Sequence, residues 1–535
     1  MFYPSHTHSV RTICLLTLFL IAWNYQTNAQ EIPVIPYPST VITQSGEFVF
    51  SENVTIQYSD FDQGQSSHYI QEELMSRFGI YGRINEKNDA DIKLSDATQA
   101  KDSDAYQLSI GSSIEMSGSQ RGIFYAAQTL FQIMEANKTD SGVISVAHVD
   151  ITDQPRYGWR GLMLDESRHF FGKKVVKQLL DWMAYYKLNV FHWHLTDSQG
   201  WRIEIMKYPY LTLIGGIGDD HNPLLPAQYY TQKDIKEIVR YARQRHITVV
   251  PEIDMPGHAT AVNKAYPVFS GGGSDRYPEW TMHPTKDTVV EFLTDVLQEV
   301  DALFPAQMIH LGGDEVHFGN AAWNTDPAIQ AWMKKNDATS LVDVEHYFIN
   351  RMADTIRAMN NLVLGWDEIV TAGLPTEGSL VFWWRHDKPE TLTQALDKGY
   401  DVVLCPRIPL YFDFVQTENH QDGRKWGGRY ADIESVWKFP PDSLHSATYN
   451  DQIRGIQANI WTERIANKNR LDYMTFPRLA ALGEAAWSMP GQSNYDQFLE
   501  RMKPQMKQYH NDNLYFFNIF DPESTPEPPV LEGDG

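Results

Sequence analysis

From Pro155 onward the chain repeats one pattern: a short apolar, β-branched run, then a longer stretch with apolar residues at helical spacing. The short runs cover 159–165, 190–197, 248–254, 308–315, 362–368, 379–384, 402–405 and 455–461. Helix-period stretches cover 173–186, 232–246, 288–304, 342–359 and 389–398, and a last one, 476–487, follows the eighth run. Strands alternating with helices in this way predict an α/β fold, a (β/α)8 TIM barrel spanning 153–505. The connection after the seventh strand, 406–452, is long, and loops of that length belong to function or to disorder.

The first part of the chain reads differently. Strand patterns at 48–50, 54–58 and 106–110 mix with helical spacing at 67–78 and 119–137, which predicts a smaller α+β domain over 30–152. It carries no catalytic cluster of its own. Residues 506–535 read as an extension after the barrel, and its Pro-, Glu- and Gly-rich part from Asp521 to Gly535 is expected to be unstructured. Ahead of everything, Arg11, an apolar run from Ile13 to Trp23 and the small-residue site Thr27-Asn28-Ala29 describe a secretory signal peptide over 1–29. The expectation is an exported chain, periplasmic or secreted, with no membrane attachment once the signal is cleaved. The alternative is an uncleaved anchor, although the apolar run is short of the roughly 20 residues a spanning helix needs. Cleavage would remove Cys14 and leave Cys405 with no intrachain partner.

Charge narrows the partners. With 45 Lys and Arg against 68 Asp and Glu, the formal net charge is −23, which argues against a nucleic-acid partner and against adhesion to anionic lipid. Oligomeric state is not legible from these residues.

In a barrel of this type the site lies at the C-terminal ends of the strands. The eight ends read Asp165-Glu166-Ser167-Arg168-His169, His192-Trp193-His194-Leu195-Thr196-Asp197, Glu252-Ile253-Asp254 before Gly257-His258, Gly312-Gly313-Asp314-Glu315, Trp366-Asp367-Glu368, Trp383-Trp384-Arg385, Tyr411-Phe412-Asp413 and Asn459-Ile460-Trp461-Thr462-Glu463. Carboxylates and tryptophans therefore gather at one end. Sugar rings pack apolar C–H faces on Trp and pair their hydroxyls with Asp, Glu and Arg. Breaking a glycosidic bond needs a carboxylic acid to protonate the leaving oxygen. The adjacent Asp314-Glu315 pair fits that need: beside an ionised Asp314, Glu315 should have a raised pKa and stay protonated. The other reading of the pair is a solvated strand end. His192 and His194, at i and i+2, also match a metal-ligand pattern, so a metal-dependent hydrolase is the rival class. Strands five to eight end without a suitable third histidine, which favours a satisfied histidine pair in the barrel core.

These strand ends resemble glycoside hydrolase family 20, the β-N-acetylhexosaminidases. The matching stretches are Arg160-Gly161-Leu162-Met163-Leu164-Asp165 with Arg168-His169-Phe170, and His192-Trp193-His194-Leu195-Thr196-Asp197 with Gly200-Trp201-Arg202. Pro251-Glu252-Ile253-Asp254-Met255-Pro256-Gly257-His258, His310-Leu311-Gly312-Gly313-Asp314-Glu315 and Gln457-Ala458-Asn459-Ile460-Trp461-Thr462-Glu463 follow in the same order. The resemblance implies an exo-acting, retaining hydrolase of terminal β-linked GlcNAc, or GalNAc, on chito-oligosaccharides or glycans, with no metal or organic cofactor. It implies Glu315 as general acid and base, and Asp314 as the group that orients the substrate's own 2-acetamido nucleophile. Arg168 would bind ring hydroxyls, and Asp197 and His258 would tune Glu315. Tyr411 would hold the acetamido carbonyl. Asp413 and Glu463 would take the hydroxyls at positions 4 and 6, and Trp366, Trp384 and Trp461 would enclose the acetyl group and the sugar face. One departure stands out. The family places a further Trp after its Tyr-x-Asp motif, and here both Trp426 and Trp437 follow, so the leaving-group side is left open between them. A non-catalytic glycan-binding descendant is the non-enzyme alternative.

Overall fold

The computed structural model describes residues 32–58, 64–85, 89–96, 103–441, 444, 449 and 451–529. The signal-peptide expectation and residues 530–535 lie outside them. The chain divides into two compact units, one running through Val34 and over Pro38–Asp153, the other taking Ile35–Tyr37 and everything from Gln154.

The first unit holds a mixed seven-stranded sheet. Its strands are β1 (Thr40–Val49), β2 (Asn53–Tyr58), β3 (Tyr81–Asn85), β4 (Ile92–Ser95), β5 (Tyr106–Ile110), β6 (Ile114–Gly118) and β7 (Ser145–Asp153), in the order β1-β7-β5-β6-β4-β2-β3. β3, β4, β6 and β7 were not predicted, because each is short or alternates with polar residues on an open face. Helix Gln120–Ala136 covers the sheet. Ser119 caps it by accepting from the backbone N–H groups of Arg121 and Gly122, and nearly every residue from Gly122 to Met134 is buried.

The second unit closes a barrel from β8 (Trp159–Asp165), β9 (Val190–His194), β10 (Thr248–Glu252), β11 (Met308–His310), β12 (Leu362–Trp366), β13 (Ser379–Trp383), β14 (Asp401–Leu404) and β15 (Ile453–Ile460). Each strand pairs in parallel with its neighbours, and β15 pairs back onto β8. β8, β9 and β13 are buried along their whole length, as strands covered on both faces must be. Trp159, Met163, Val190, Val250, Leu364, Phe382 and Val403 pack in one cluster that fills the barrel. Capping boxes start two of the outer helices, Thr231 with Asp234 and Ser340 with Asp343.

Several expected bounds change. The fourth strand stops at His310 instead of running to 315, since Gly312, Gly313 and Glu315 all adopt positive φ and leave the ladder. The boundary expected at 505 falls inside helix Tyr495–Asn511, and residues 521–529, expected to be unstructured, pack on the second unit through a 2.8 Å ion pair between Glu527 and Arg470. No helix among the described residues is long and apolar enough to cross a membrane.

Candidate active site

The turn after β11 carries the paired carboxylates. Gly312 and Gly313 have φ of 70° and 90°, and a Cβ on Gly312 would lie 1.9 Å from Asp254 Oδ1, so only glycine lets the chain pass here. Glu315 itself is left-handed, with φ 52°, as is His258 at φ 52°. A non-glycine residue held in that region is strained, and the strain is maintained by surrounding structure. Asp314 is 8% exposed and its Oδ1 is buried with no hydrogen-bond partner, while Glu315 is half-buried.

A relay of charged groups runs inward from the pair. His258 Nε2 lies 3.4 Å from Asp314 Oδ2 and 3.7 Å from Glu315 Oε2, and its Nδ1 is 2.9 Å from Asp197 Oδ1. Asp197 Oδ2 meets both Arg168 Nη2 at 2.7 Å and His194 Nε2 at 3.0 Å. Arg168 and Asp197 thus form a buried pair. His194 Nδ1 ends the relay 2.7 Å from Glu252 Oε2.

The aromatic residues wall the same mouth. Tyr411 stacks on Trp384 with ring centroids 6.4 Å apart and planes at 9°, and Trp461 lies between Tyr411 at 5.9 Å and Trp366 at 5.7 Å. The Arg168 guanidinium sits 5.1 Å over the Trp461 ring. Trp384 Nε1 donates to Glu368 Oε2 at 3.0 Å, and Trp366 Nε1 to Glu252 Oε1 at 2.8 Å, so two of the indoles are locked by carboxylates behind them. Asp413 and Glu463 face each other across Arg424. A cavity of about 410 Å³ is lined by Arg168, Asp197, His258, Glu315, Arg424 and Glu463. All eleven residues singled out from the sequence belong to this one connected assembly.

Electrostatics sorts the carboxyls. Burial and the neighbouring Asp314 charge raise the Glu315 pKa, against the opposing pull of His258 and Arg168. Burial would raise Asp197, but Arg168 and His258 hold it well below the usual carboxylate range. Burial would lower His258, yet Asp197 and Asp314 keep it well above an ordinary imidazole. Asp413 is pushed up to about 7 by burial, against the lowering effect of Arg424.

Neither His192 nor His194 lines the cavity, and His194 reaches it only through Asp197. Both reach Glu252 Oε2, at 2.9 and 2.7 Å, and His310 Nδ1 reaches Glu252 Oε1 at 3.1 Å. The donor atoms of His192, Glu252 and His310 lie within 4.8 Å of one another, close enough for a metal. The same atoms also form a carboxylate–imidazole hub deep in the barrel, and His192 Nδ1 faces the Gln457 side-chain amide at 3.1 Å. Glu252, Arg424 and Glu368 are the contributors that residue-by-residue reading passed over. Glu252 and Glu368 stood at strand ends, and Arg424 stood in the long loop with no motif around it. Of the two open tryptophans, Trp437 packs on Tyr495 and Phe498 and donates to Glu484, away from the mouth. Trp426 is 43% exposed and stacks under the Arg407 guanidinium, which also lies over Trp384.

A closed parallel barrel with paired carboxylates, a polar cavity and a cluster of buried indoles at the C-terminal ends of its strands is the architecture of a glycosidase. The comparisons make this specific. The catalytic domain of glycosyl hydrolase family 20 matches residues 157–490, and that family's domain 2 matches 31–154. The chain belongs to glycosyl hydrolase family 20. It is 35% identical over 397 residues to a β-hexosaminidase of Porphyromonas gingivalis, covering 72% of this chain but only 50% of that one. A β-hexosaminidase of Vibrio furnissii is 32% identical over 480 residues, covering 85% of this chain and 76% of the relative. The crystal structure of an exo-β-N-acetylglucosaminidase from Vibrio harveyi, in complex with N-acetylglucosamine, superposes with a TM-score of 0.84 at 30% identity, covering 91% of this chain and 78% of that one.

Proposed function

We propose that this chain is an exo-acting, retaining β-N-acetylhexosaminidase that releases terminal non-reducing β-linked GlcNAc, with GalNAc as the second candidate sugar, from chito-oligosaccharides or glycans. The observation that carries the reading is the turn at Asp314 and Glu315. One carboxyl there is raised toward its protonated form, and its neighbour presents a buried oxygen with no hydrogen-bond partner.

In this mechanism Glu315 protonates the glycosidic oxygen while the carbonyl oxygen of the substrate's 2-acetamido group attacks the anomeric carbon. The leaving alcohol departs with the proton, and a bicyclic oxazolinium forms. Glu315, now a carboxylate, takes a proton from water, whose oxygen reopens the ring with overall retention. A nucleophile fixed within the substrate has a high effective molarity, so no enzyme nucleophile is needed. Asp314 Oδ1 would accept the acetamido N–H, and its charge would stabilise the cation more than the neutral ground state. The Tyr411 hydroxyl would hold the acetamido oxygen inside the box of Trp366, Trp384 and Trp461. Arg168, Asp413 and Glu463 would bind the ring hydroxyls, and the His258–Asp197 pair would steady the proton on Glu315. The basic, apolar and small-residue order of the first 29 residues supports export of the enzyme.

Matched aryl β-GlcNAc, β-GalNAc and β-glucoside substrates test the reading. The β-glucoside lacks the acetamido group and should barely react; comparable rates on it would remove substrate assistance. Loss of activity in EDTA, restored by zinc, would favour the metal-dependent alternative. Glycan binding with no turnover would favour the binding-only one.

A further inference from the structure

Asp413 is 2% exposed, and its Oδ1 and Glu463 Oε2 are buried with no hydrogen-bond partner. Two such carboxylates side by side repel each other and need a cation to remain ionised. Arg424 lies across both. Its Nε is 2.9 Å from Asp413 Oδ2 and its Nη2 is 2.5 Å from Glu463 Oε1. Glu463 Oε1 is thereby hydrogen-bonded and Asp413 Oδ2 ion-paired, and Asp413 Oδ1 and Glu463 Oε2 are left to accept. A guanidinium fork can serve two carboxylates at once in fixed geometry, which an ammonium cannot.

The backbone sets this arginine in place. Arg424 N donates to Asp413 O at 3.1 Å, and Val415 N donates to Arg424 O at 3.2 Å. The preceding Gly423 has φ 146°, and a Cβ there would lie 2.6 Å from Val415 Cγ1. The turn before it is pinned from a distant part of the chain. Glu527 accepts from the backbone N–H groups of Gln421 and Asp422 at 2.7 and 3.2 Å, and from the buried Arg470 Nη1 at 2.8 Å. Tyr515 holds the same segment by donating to Pro526 O at 2.8 Å.

We infer that Arg424 is a positioning residue of the sugar pocket, held over Asp413 and Glu463 by Glu527, and that it orients their remaining oxygens toward the hydroxyls at positions 4 and 6. The inference rests on the reading of Asp413 and Glu463 as hydroxyl acceptors. It makes the 521–529 segment a working part of substrate recognition.

The test uses the full chain with an aryl β-GlcNAc and its 6-deoxy counterpart, alongside thermal unfolding. Arg424→Ala should raise KM for the parent sugar by about tenfold, the loss of a charged hydrogen-bond arrangement, with kcat nearly unchanged. On the 6-deoxy sugar the gap between the two proteins should narrow, because only the contact to the 4-hydroxyl is left to lose. Glu527→Gln should raise KM by about threefold, and the double variant should be no worse than Arg424→Ala alone, because Glu527 acts through Arg424. If Arg424→Ala unfolds, Arg424→Gln takes its place in the same series. An unchanged KM overturns the inference, as does the same penalty on both sugars. A lowered KM would mean that the arginine competes with the sugar, and also overturns it. Additive effects of the two substitutions would sever the link to Glu527. Wild-type failure to prefer aryl β-GlcNAc over aryl β-glucoside is a different result and would strike the proposed function instead.

Discussion

Two clusters in the barrel are built from the same parts, carboxylates and imidazoles, and behave in opposite ways. In the interior, Glu252 is fully buried and touches His192, His194 and His310, with the Trp366 indole N–H as a further donor. Burial would raise its pKa, but His310 and His194 hold it well below the usual range. At the mouth, Glu315 has one imidazole at 3.7 Å and a carboxylate for a neighbour, and its pKa goes up. The supply of donors, more than depth alone, separates a carboxyl held as an anion from one held toward its protonated form. The two are joined by His194, Asp197 and His258. Glu252 and Asp197 outweigh burial and hold the His194 imidazole well above its ordinary range, whereas burial and the neighbouring His310 take His192 down to about 4.

The comparison can be broken at either end. The largest expected effect is at the mouth. Glu315→Gln should cut turnover by about 10³-fold or more on substrates with poor leaving groups, and far less on activated aryl glycosides. Equal losses on both would deny Glu315 the acid role. Asp314→Asn should lower turnover by about 10²-fold through the lost charge at the forming cation. It should also move the alkaline limb of the pH–rate profile to lower pH. The sign follows from Asp314 being one of the two influences that raise Glu315: without that charge the acid deprotonates earlier. A limb that stays in place would mean that burial alone sets the acid. The smallest effect on rate is expected in the interior, where Glu252→Gln leaves the His194 cation short of its partner. Denaturant unfolding should show a loss of about 3 kcal/mol, the scale for breaking a buried pair. Unchanged stability would mean that Glu252 is not the anion described here.

The same contrast explains what the amino-acid order made legible. Buried strands read clearly because both faces are covered, so β8 was found at its observed bounds, while the half-exposed β3 and β4 were passed over. Asp314 and Glu315 stand out because they are adjacent in the chain. Glu252 has its meaning only once β9, β10 and β11 lie side by side, bringing three histidines from two strands onto one carboxylate. Arg424 was less visible still, since its position depends on a turn tied down more than a hundred residues later. Trp437 and Trp426 looked equivalent as letters. Packing on Tyr495 and Phe498 commits the first to the barrel's flank and leaves the second on the surface beside Arg407.

The left-handed backbone at Glu315 and His258 also bears on redesign. Variant libraries at these two positions face a conformational filter before any chemical one. Asparagine and glycine enter such a backbone at little cost, whereas valine, isoleucine and threonine would have to unwind the turn that aims the acid. A survey that scores only activity would attribute their failure to lost proton transfer, when the altered path of the main chain is sufficient cause.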